Sequence, residues 1–258
     1  MLWKLCEDGE LVKVRAALAR GENVNSSQPV FGISALMWTV REKHNSIVKV
    51  LMKQPNLDVN MRDGMGLTAL HWAATHYNAA AVPLLLADPW VDVNCKSNIG
   101  RNALFCAALY GNVEAVRFLL TDQRSDVNNV DKDGLTLLHA ASCEDSAEVA
   151  RLLLAEGRIN DVNHLDKEGE SLLMVAVKEK RGKTVRKLGA HQNVDLDTRD
   201  RRGRTVEEVA RWCRATPLTE TNFLILRANG HTQLLNILEK ARAVKAGRKA
   251  AEVDNKLS

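Results

Sequence analysis

In a chain of 258 residues, 45% apolar content is enough for a continuous core, and the 4% aromatic share points to a core of small helix faces built from Ala, Leu and Val. The longest apolar runs, such as 79–87, fall far short of the ~20 residues that a membrane span requires. The net charge of +4 hides an asymmetry. Residues 1–177 carry 17 Lys and Arg against 22 Asp and Glu, whereas residues 178–258 carry 19 against 10, which suits an acidic partner at one end.

Five cysteines, at 6, 95, 106, 143 and 213, are scattered, odd in number and free of C-x-x-C spacing, so they read as reduced thiols of an intracellular protein, cytoplasmic and/or nuclear. The sequon Asn25-Ser26-Ser27 is then without consequence. The first 20 residues already show a repeat's apolar pattern (Leu2, Leu5, Val14, Ala17, Leu18) and lack the unbroken apolar centre of a signal peptide.

Glycines at 32, 66, 100, 134, 169 and 203 recur 34, 34, 34, 35 and 34 residues apart. The valine of a Val-Asn pair keeps step with them at 24, 59, 93, 127 and 162, and Leu196 takes the sixth place. Two independent markers with a period near 34 residues indicate a stacked array of helical units.

The unit is clearest in 97–128. Gly100 predicts a tight turn with φ > 0. An N-cap residue follows two positions later, as do Ser34, Thr68, Thr136, Ser171 and Thr205 in the other units, each cap contributing ~1 kcal/mol. Leu104, Ala107 and Ala108 then form a narrow apolar face, Gly111-Asn112 breaks the helix, and Val113, Val116, Leu119 and Leu120 stripe a second one. The polar stretch 121–128 leads as a loop or hairpin to the next turn.

Taken in order, the first unit (2–25) begins inside its first helix, as an end-capping repeat does, with Leu2 and Trp3 resting on the second. In the third, Pro83 predicts a late-starting or kinked second helix. Trp90, after Asp88-Pro89, either packs beneath its loop or stands exposed as an anchor; packing is the favoured expectation. The fifth unit has two extra residues before Asp161. The sixth keeps Val185 and Leu188 but has Lys187 and Gly189 where leucines are expected, with Gly182 inside the helix; interior glycines cost ~1 kcal/mol each, which makes this the soft joint. In the last unit an insertion near 213–229 separates Gly203 from Gly230, and its Phe223–Leu226 run needs cover, either from the repeat's own core or from a partner. Leu234, Leu235, Ile237 and Leu238 resume the core before a basic tail.

The unit resembles the ankyrin repeat, most closely in DGMGLTALHWAATHYN (63–78) and DKDGLTLLHAAS (131–142), with LLLA (84–87), VRFLL (116–120) and ARLLLAEG (150–157). The helix-opening proline of that family is replaced by Ala35, Ala69, Ala103, Leu137, Leu172 and Val206. The resemblance implies an all-α ankyrin-repeat solenoid of about seven helix-turn-helix repeats with hairpin-like connecting loops. They fall near 1–28, 29–62, 63–96, 97–130, 131–165, 166–199 and 200–243, within an array spanning 1–243 that is followed by a basic C-terminal tail, 244–258.

The histidines of the family's T-x-L-H element, His71 and His139, are expected to tie the turn together rather than to catalyse, and the other histidines follow no metal-ligand spacing. Gly182-Lys183-Thr184 has Val177 where a phosphate-binding loop needs its first glycine. No nucleophile–base pair stands out. The expectation is therefore no enzyme, no catalytic residue, no cofactor and no metal. Lys178, Lys180, Arg181, Lys183, Arg186, Lys187, Arg199, Arg201, Arg202 and Arg204, with Lys240, Arg242, Lys245, Arg248 and Lys249, form a basic C-terminal third with little aromatic interleaving for base stacking.

Such repeats imply a non-catalytic module, an adaptor, scaffold or inhibitor, binding an unidentified protein partner through a concave surface, in a monomer with no membrane span. The alternative is a binder of nucleic acid or another anionic partner through the basic third. In this family partners usually meet residues flanking the turn glycine and residues ending the first helix. Here these are Met65, Leu67, Ile99, Arg101, Lys132 and Asp133, and then Thr75, His76, Leu109 and Tyr110. Tyr110, Met65 and Ile99 would form an anchor cluster rimmed by Arg101 and Lys132, unless longer loops fold over Met65 and Ile99 and bury them.

Overall fold

The computed structural model describes residues 1–75, 78–143, 147–215 and 236–246. The chain divides into two compact units, Met1–Lys132 and Asp133–Ser258. In the first unit, four helical pairs follow one another: α1 (Leu2–Glu7) and α2 (Leu11–Ala19), α3 (Ala35–Arg41) and α4 (Asn45–Leu51), α5 (Ala69–Thr75) and α6 (Val82–Leu86), α7 (Ala103–Leu109) and α8 (Val113–Thr121). The second unit holds α9 (Leu137–Cys143) and α10 (Ala147–Leu154), α11 (Leu172–Lys178) and α12 (Gly182–Gly189), then α13 (Val206–Ala215) and α14 (236–246). Among the described residues no strand forms; two isolated antiparallel bridges, Ser27 with Ser34 and Leu165 with Ser171, give the connecting loops their hairpin character. Most of the segment expected as an insertion, 213–229, lies outside the described residues, as do the Phe223–Leu226 run, Leu234, Leu235 and the tail beyond 246.

Local chemistry sets each pair. The turn glycines all have positive φ, from 69° at Gly32 to 85° at Gly100. At Gly66 a side chain is also excluded by space, because a Cβ there would lie 2.9 Å from the Asn98 backbone nitrogen. Two residues on, Ser34, Asn102 and Ser171 cap α3, α7 and α11 by accepting the N–H of Met37, Phe105 and Met174. Thr205 and Glu208 form a reciprocal box at α13, with Glu208 accepting from the Thr205 N–H at 2.7 Å.

Burial departs from the expected narrow face. In α7 every residue from Ala103 to Ala108 is buried, and α3, α5, α9 and α11 show the same pattern. The reason is position: α5 packs against α3 on one side, α7 on the other and α6 behind, so each side of it meets protein. The small residues, Ala above all, allow that close stacking. The second helices bury only a stripe, Ala115, Val116 and Leu119 in α8. The same stripe survives in α12 as Val185 and Leu188. Gly189 is also buried, and a Cβ on it would come within 3.2 Å of the Ala241 Cβ, so this glycine makes room for α14. Leu238 and Ala241 of α14 are buried, and Ile237 is half-buried.

Pro83 behaves as expected. A short 3-10 turn, Ala79–Ala81, precedes α6, and the proline sits in the first turn of that helix, where it has no hydrogen bond to lose. Trp90 does not. Its side chain stands 83% exposed, because Asp88 holds the turn by accepting the Trp90 N–H and the indole is left pointing away from the loop.

Longer bonds join neighbouring repeats. Asn78 donates to the Val40 carbonyl, Asn112 to that of Ala74 and Arg181 to that of Cys143, each 38 residues back, and the His44 ring meets the Glu7 carbonyl. The asparagines of the Val-Asn marker make a second ladder. Asn60 donates to the Trp90 carbonyl and accepts the Asp92 N–H; Asn94 does the same with Arg124 and Asp126, and Asn163 with Asn193 and Asp195.

Candidate functional site

The turn from Asp63 to Leu67 is built by one carboxylate. Asp63 Oδ1 accepts the N–H groups of Met65 and Leu67, each at 2.9 Å, and Oδ2 accepts Trp72 Nε1–H at 2.9 Å. With the backbone held from inside, the Met65 side chain has nowhere to go but outward, and it is 66% exposed. Neighbouring tips are stitched to this one. The Gly64 N–H donates to the Phe31 carbonyl at 2.8 Å, that of Asn98 to Met65 at 3.0 Å and that of Lys132 to Ile99 at 3.0 Å.

The residue before each turn glycine therefore stands in a row, Phe31, Met65 and Ile99, and all three are exposed. The alternative in which the loops fold over Met65 and Ile99 is not what forms. Phe31 escaped the sequence reading, although it precedes Gly32 as Met65 precedes Gly66; sliding the repeat register back by one unit finds it. From the end of α3, the Arg41 guanidinium lies 5.0 Å over the Trp38 ring and 5.8 Å over that of Trp72. Both indoles are buried, and Trp38 Nε1 has no hydrogen-bond partner.

The remaining candidates divide. Leu67, Thr75, Arg101 and Leu109 are half-buried, Lys132 and Asp133 exposed. Arg101 is spent within the fold: its Nε donates to Asp131 Oδ2 at 2.8 Å and its guanidinium covers Phe105. Thr75 donates to the Trp72 carbonyl. Tyr110 is exposed at the C-terminal end of α7, whereas Ile99 lies before its N-terminal end. The helix rise puts these ends ~12 Å apart, so Met65 and Ile99 share a row that Tyr110 does not join. His76 lies outside the described residues, and Asp133 belongs to the second unit, where its carbonyl accepts the Lys167 N–H.

His71 and His139 hold the turns. Thr68 N–H donates to His71 Nδ1 at 3.1 Å, which leaves Nε2 to donate to the Arg101 carbonyl at 3.0 Å. His139 bonds Thr136 and the Glu170 carbonyl in the same way. Burial pushes the His71 pKa below its ordinary value, so the ring is neutral. Burial likewise pushes the Cys6 and Cys106 thiols up to about 12, far from a reactive thiolate. Among the described residues no group of three or more His, Cys, Asp or Glu could hold a metal ion.

Much of the basic third is paired. Arg204 binds Asp200 at 2.6 Å, Arg242 binds both Asp197 and Glu207, and Lys178 binds Glu170. Lys183, Arg186 and Lys187 are exposed along α12.

The family model of ankyrin repeats in three copies matches residues 2–96, 36–131, 76–163 and 104–200. Among solved structures, the ankyrin repeat domain of Bcl-3, described as a unique member of the IkappaB protein family, aligns with a TM-score of 0.67 and 21% identity, over 92% of this chain and 97% of that one. No curated protein matches the chain in sequence. Among the described residues no helix is long and apolar enough to cross a membrane. Ankyrin repeats are in general protein–protein interaction modules. Turn glycines in register, T-x-L-H histidines bridging repeats and matches running from residue 2 to residue 200 lead to one assignment: the chain belongs to the ankyrin-repeat family.

Proposed function

We propose that this protein is a non-catalytic binding module, an adaptor, scaffold or inhibitor, that engages a partner protein through the turn tips and first helices of its repeats. The exposed row of Phe31, Met65 and Ile99 carries the reading. Large apolar side chains gathered on rigid, internally bonded turns mark interaction sites more often than scattered ones do. Rigid turns also leave little ordering cost on association. The free cysteines fit a protein working in the cytoplasm, the nucleus or both.

Crosslinking in native lysate followed by mass spectrometry tests the reading, because it names the partner and the contact face together. Replacing Ile99 and Met65 by Ala is expected to weaken capture by ~2 kcal/mol or more without lowering the melting temperature. A parallel Tyr110→Ala chain decides whether the surface extends to the end of α7. Capture unchanged in both variants would remove the turn tips and this helix end from consideration. The exposed cations of α12 favour a second reading, an anionic partner at the C-terminal third. A steep fall of nucleic-acid affinity with salt would select it.

A further inference from the structure

The tip row constrains what can lie on it. We propose that Phe31, Met65 and Ile99 together dock one amphipathic α-helix of the partner, with apolar residues seven apart and acidic residues along its flanks. The proposal rests on the protein-binding reading above and specifies the partner's chemistry.

Spacing is the first argument. The first helices of successive repeats pack in direct contact, α3 on α5 and α5 on α7. Packed helices lie ~8–10 Å apart, and the tips they carry share that interval because each is hydrogen-bonded to the next. Seven residues of α-helix advance ~10.5 Å and return to nearly the same face. An extended strand covers the interval in three residues at ~3.3 Å each, but an odd step turns alternate side chains to opposite faces.

The second argument concerns backbone. A strand's peptide groups call for an open edge on the protein, whereas a polyproline segment, repeating every three residues over ~9.3 Å with a solvated backbone, matches the interval and is the competitor that the test below must separate. The tips have little to give. The carbonyls of Phe31, Met65 and Ile99 already accept from Gly64, Asn98 and Lys132, the N–H of Phe31 is bound to Gln28 and that of Met65 to Asp63, and the Trp72 indole N–H is held by Asp63. A helix brings its own hydrogen bonds and asks only for apolar contact.

Charge is the third. Around the second and third tips the exposed side chains of Arg62, Lys96 and Lys132 are positive, against one exposed carboxylate, Asp133. The other two carboxylates are engaged within the fold: Asp63 binds N–H groups, and Asp131 is buried against Arg101. Acidic residues on either side of the partner's apolar stripe complement this rim.

A displayed library of random 20-residue peptides, panned on the full chain, tests the proposal. Recovered peptides are expected to carry apolar residues seven apart, to have a net negative charge and to gain helical circular dichroism on binding. Their affinity should fall at least about tenfold on the triple variant Phe31→Ser, Met65→Ser, Ile99→Ser, whose melting temperature serves as the fold check. The double variant Lys96→Glu, Lys132→Glu leaves the row intact and should also weaken them severalfold. Proline-rich or alternating peptides that still depend on the three tips would overturn the helical occupant while leaving the protein-binding reading in place. Peptides indifferent to the tips would overturn the row as a dock. A chain that sediments as a dimer, and as a monomer once the row is replaced, would show that a second copy occupies it and would overturn the proposal as well.

Discussion

The side-chain amide of Asn112 donates to the carbonyl oxygen of Ala74, 3.0 Å away and 38 residues earlier in the chain. The same residue accepts the Ala115 N–H through Oδ1, so one buried side chain opens α8 and closes α5 at once. Asn112→Ala should lower stability by about 2 kcal/mol, the cost of a lost cap plus a lost hydrogen bond to the Ala74 carbonyl. Asn112→Asp keeps the acceptor for Ala115 but sets a carboxylate against the Ala74 carbonyl, and should destabilise at least as much. Urea midpoints check both; an aspartate variant as stable as the native chain would show that the bond to Ala74 contributes nothing.

Lys43 and Lys180 occupy corresponding turns between paired helices, with φ of 60° and 58°, while Gly9 and Gly111 fill the same place at 73° and 64°. A side chain in this left-handed region costs ~1–2 kcal/mol, partly offset by the entropy a glycine loses. Lys180→Gly should therefore raise stability by about 0.5–1 kcal/mol. Hydrogen exchange gives a second reading. In the native chain, exchange in α12 should exceed that in α8, because α12 starts at Arg181 without a side-chain cap. Equal protection would remove the soft joint.

His71 gives a pH dependence with a fixed sign. Burial lowers its folded pKa beneath the unfolded value near 6.5, so the unfolded chain binds the proton more readily. Its contribution is fully present above pH ~6.5 and is lost as pH falls toward the folded pKa. Melting temperatures measured from pH 7.5 down to 5 should fall, and the slope should shrink in His71→Gln. A variant with the native slope would assign the effect to other groups.

Gly189→Leu restores the residue that the repeat pattern asks for, yet it should not stabilise the protein. The space is taken by Ala241, so the larger side chain is expected to displace α14 and speed hydrogen exchange across 236–246. A higher melting temperature with unchanged protection of α14 would contradict this.

What could be read from sequence was local. Turn glycines, N-caps and the late start of α6 at Pro83 each follow from one residue's own conformational limits. The bonds of Asn94, Arg181 and Asn112 could not be seen that way, because their partners lie 30 to 38 residues off, in another repeat. Gly189 looked like a weakness for the same reason: the α14 residue that fills its space is 52 positions further on in sequence. Met65 and Ile99 were visible as large apolar residues at exposed turn positions. Their alignment with Phe31, and the separation of Tyr110 from them, required the stacked turns themselves.

The direction of the Asn112 bond has a consequence for synthesis. A carbonyl at the end of α5 takes a side chain 38 residues downstream, and that of Val40, which also accepts the Lys43 N–H, takes Asn78 at the same distance. At ~5–20 residues per second, that distance means a wait of roughly 2 to 8 s on the ribosome. Each repeat thus leaves the exit tunnel incomplete and is finished by its successor, so nascent chains stalled just before residue 112 should hold α5 frayed and show it as protease sensitivity there.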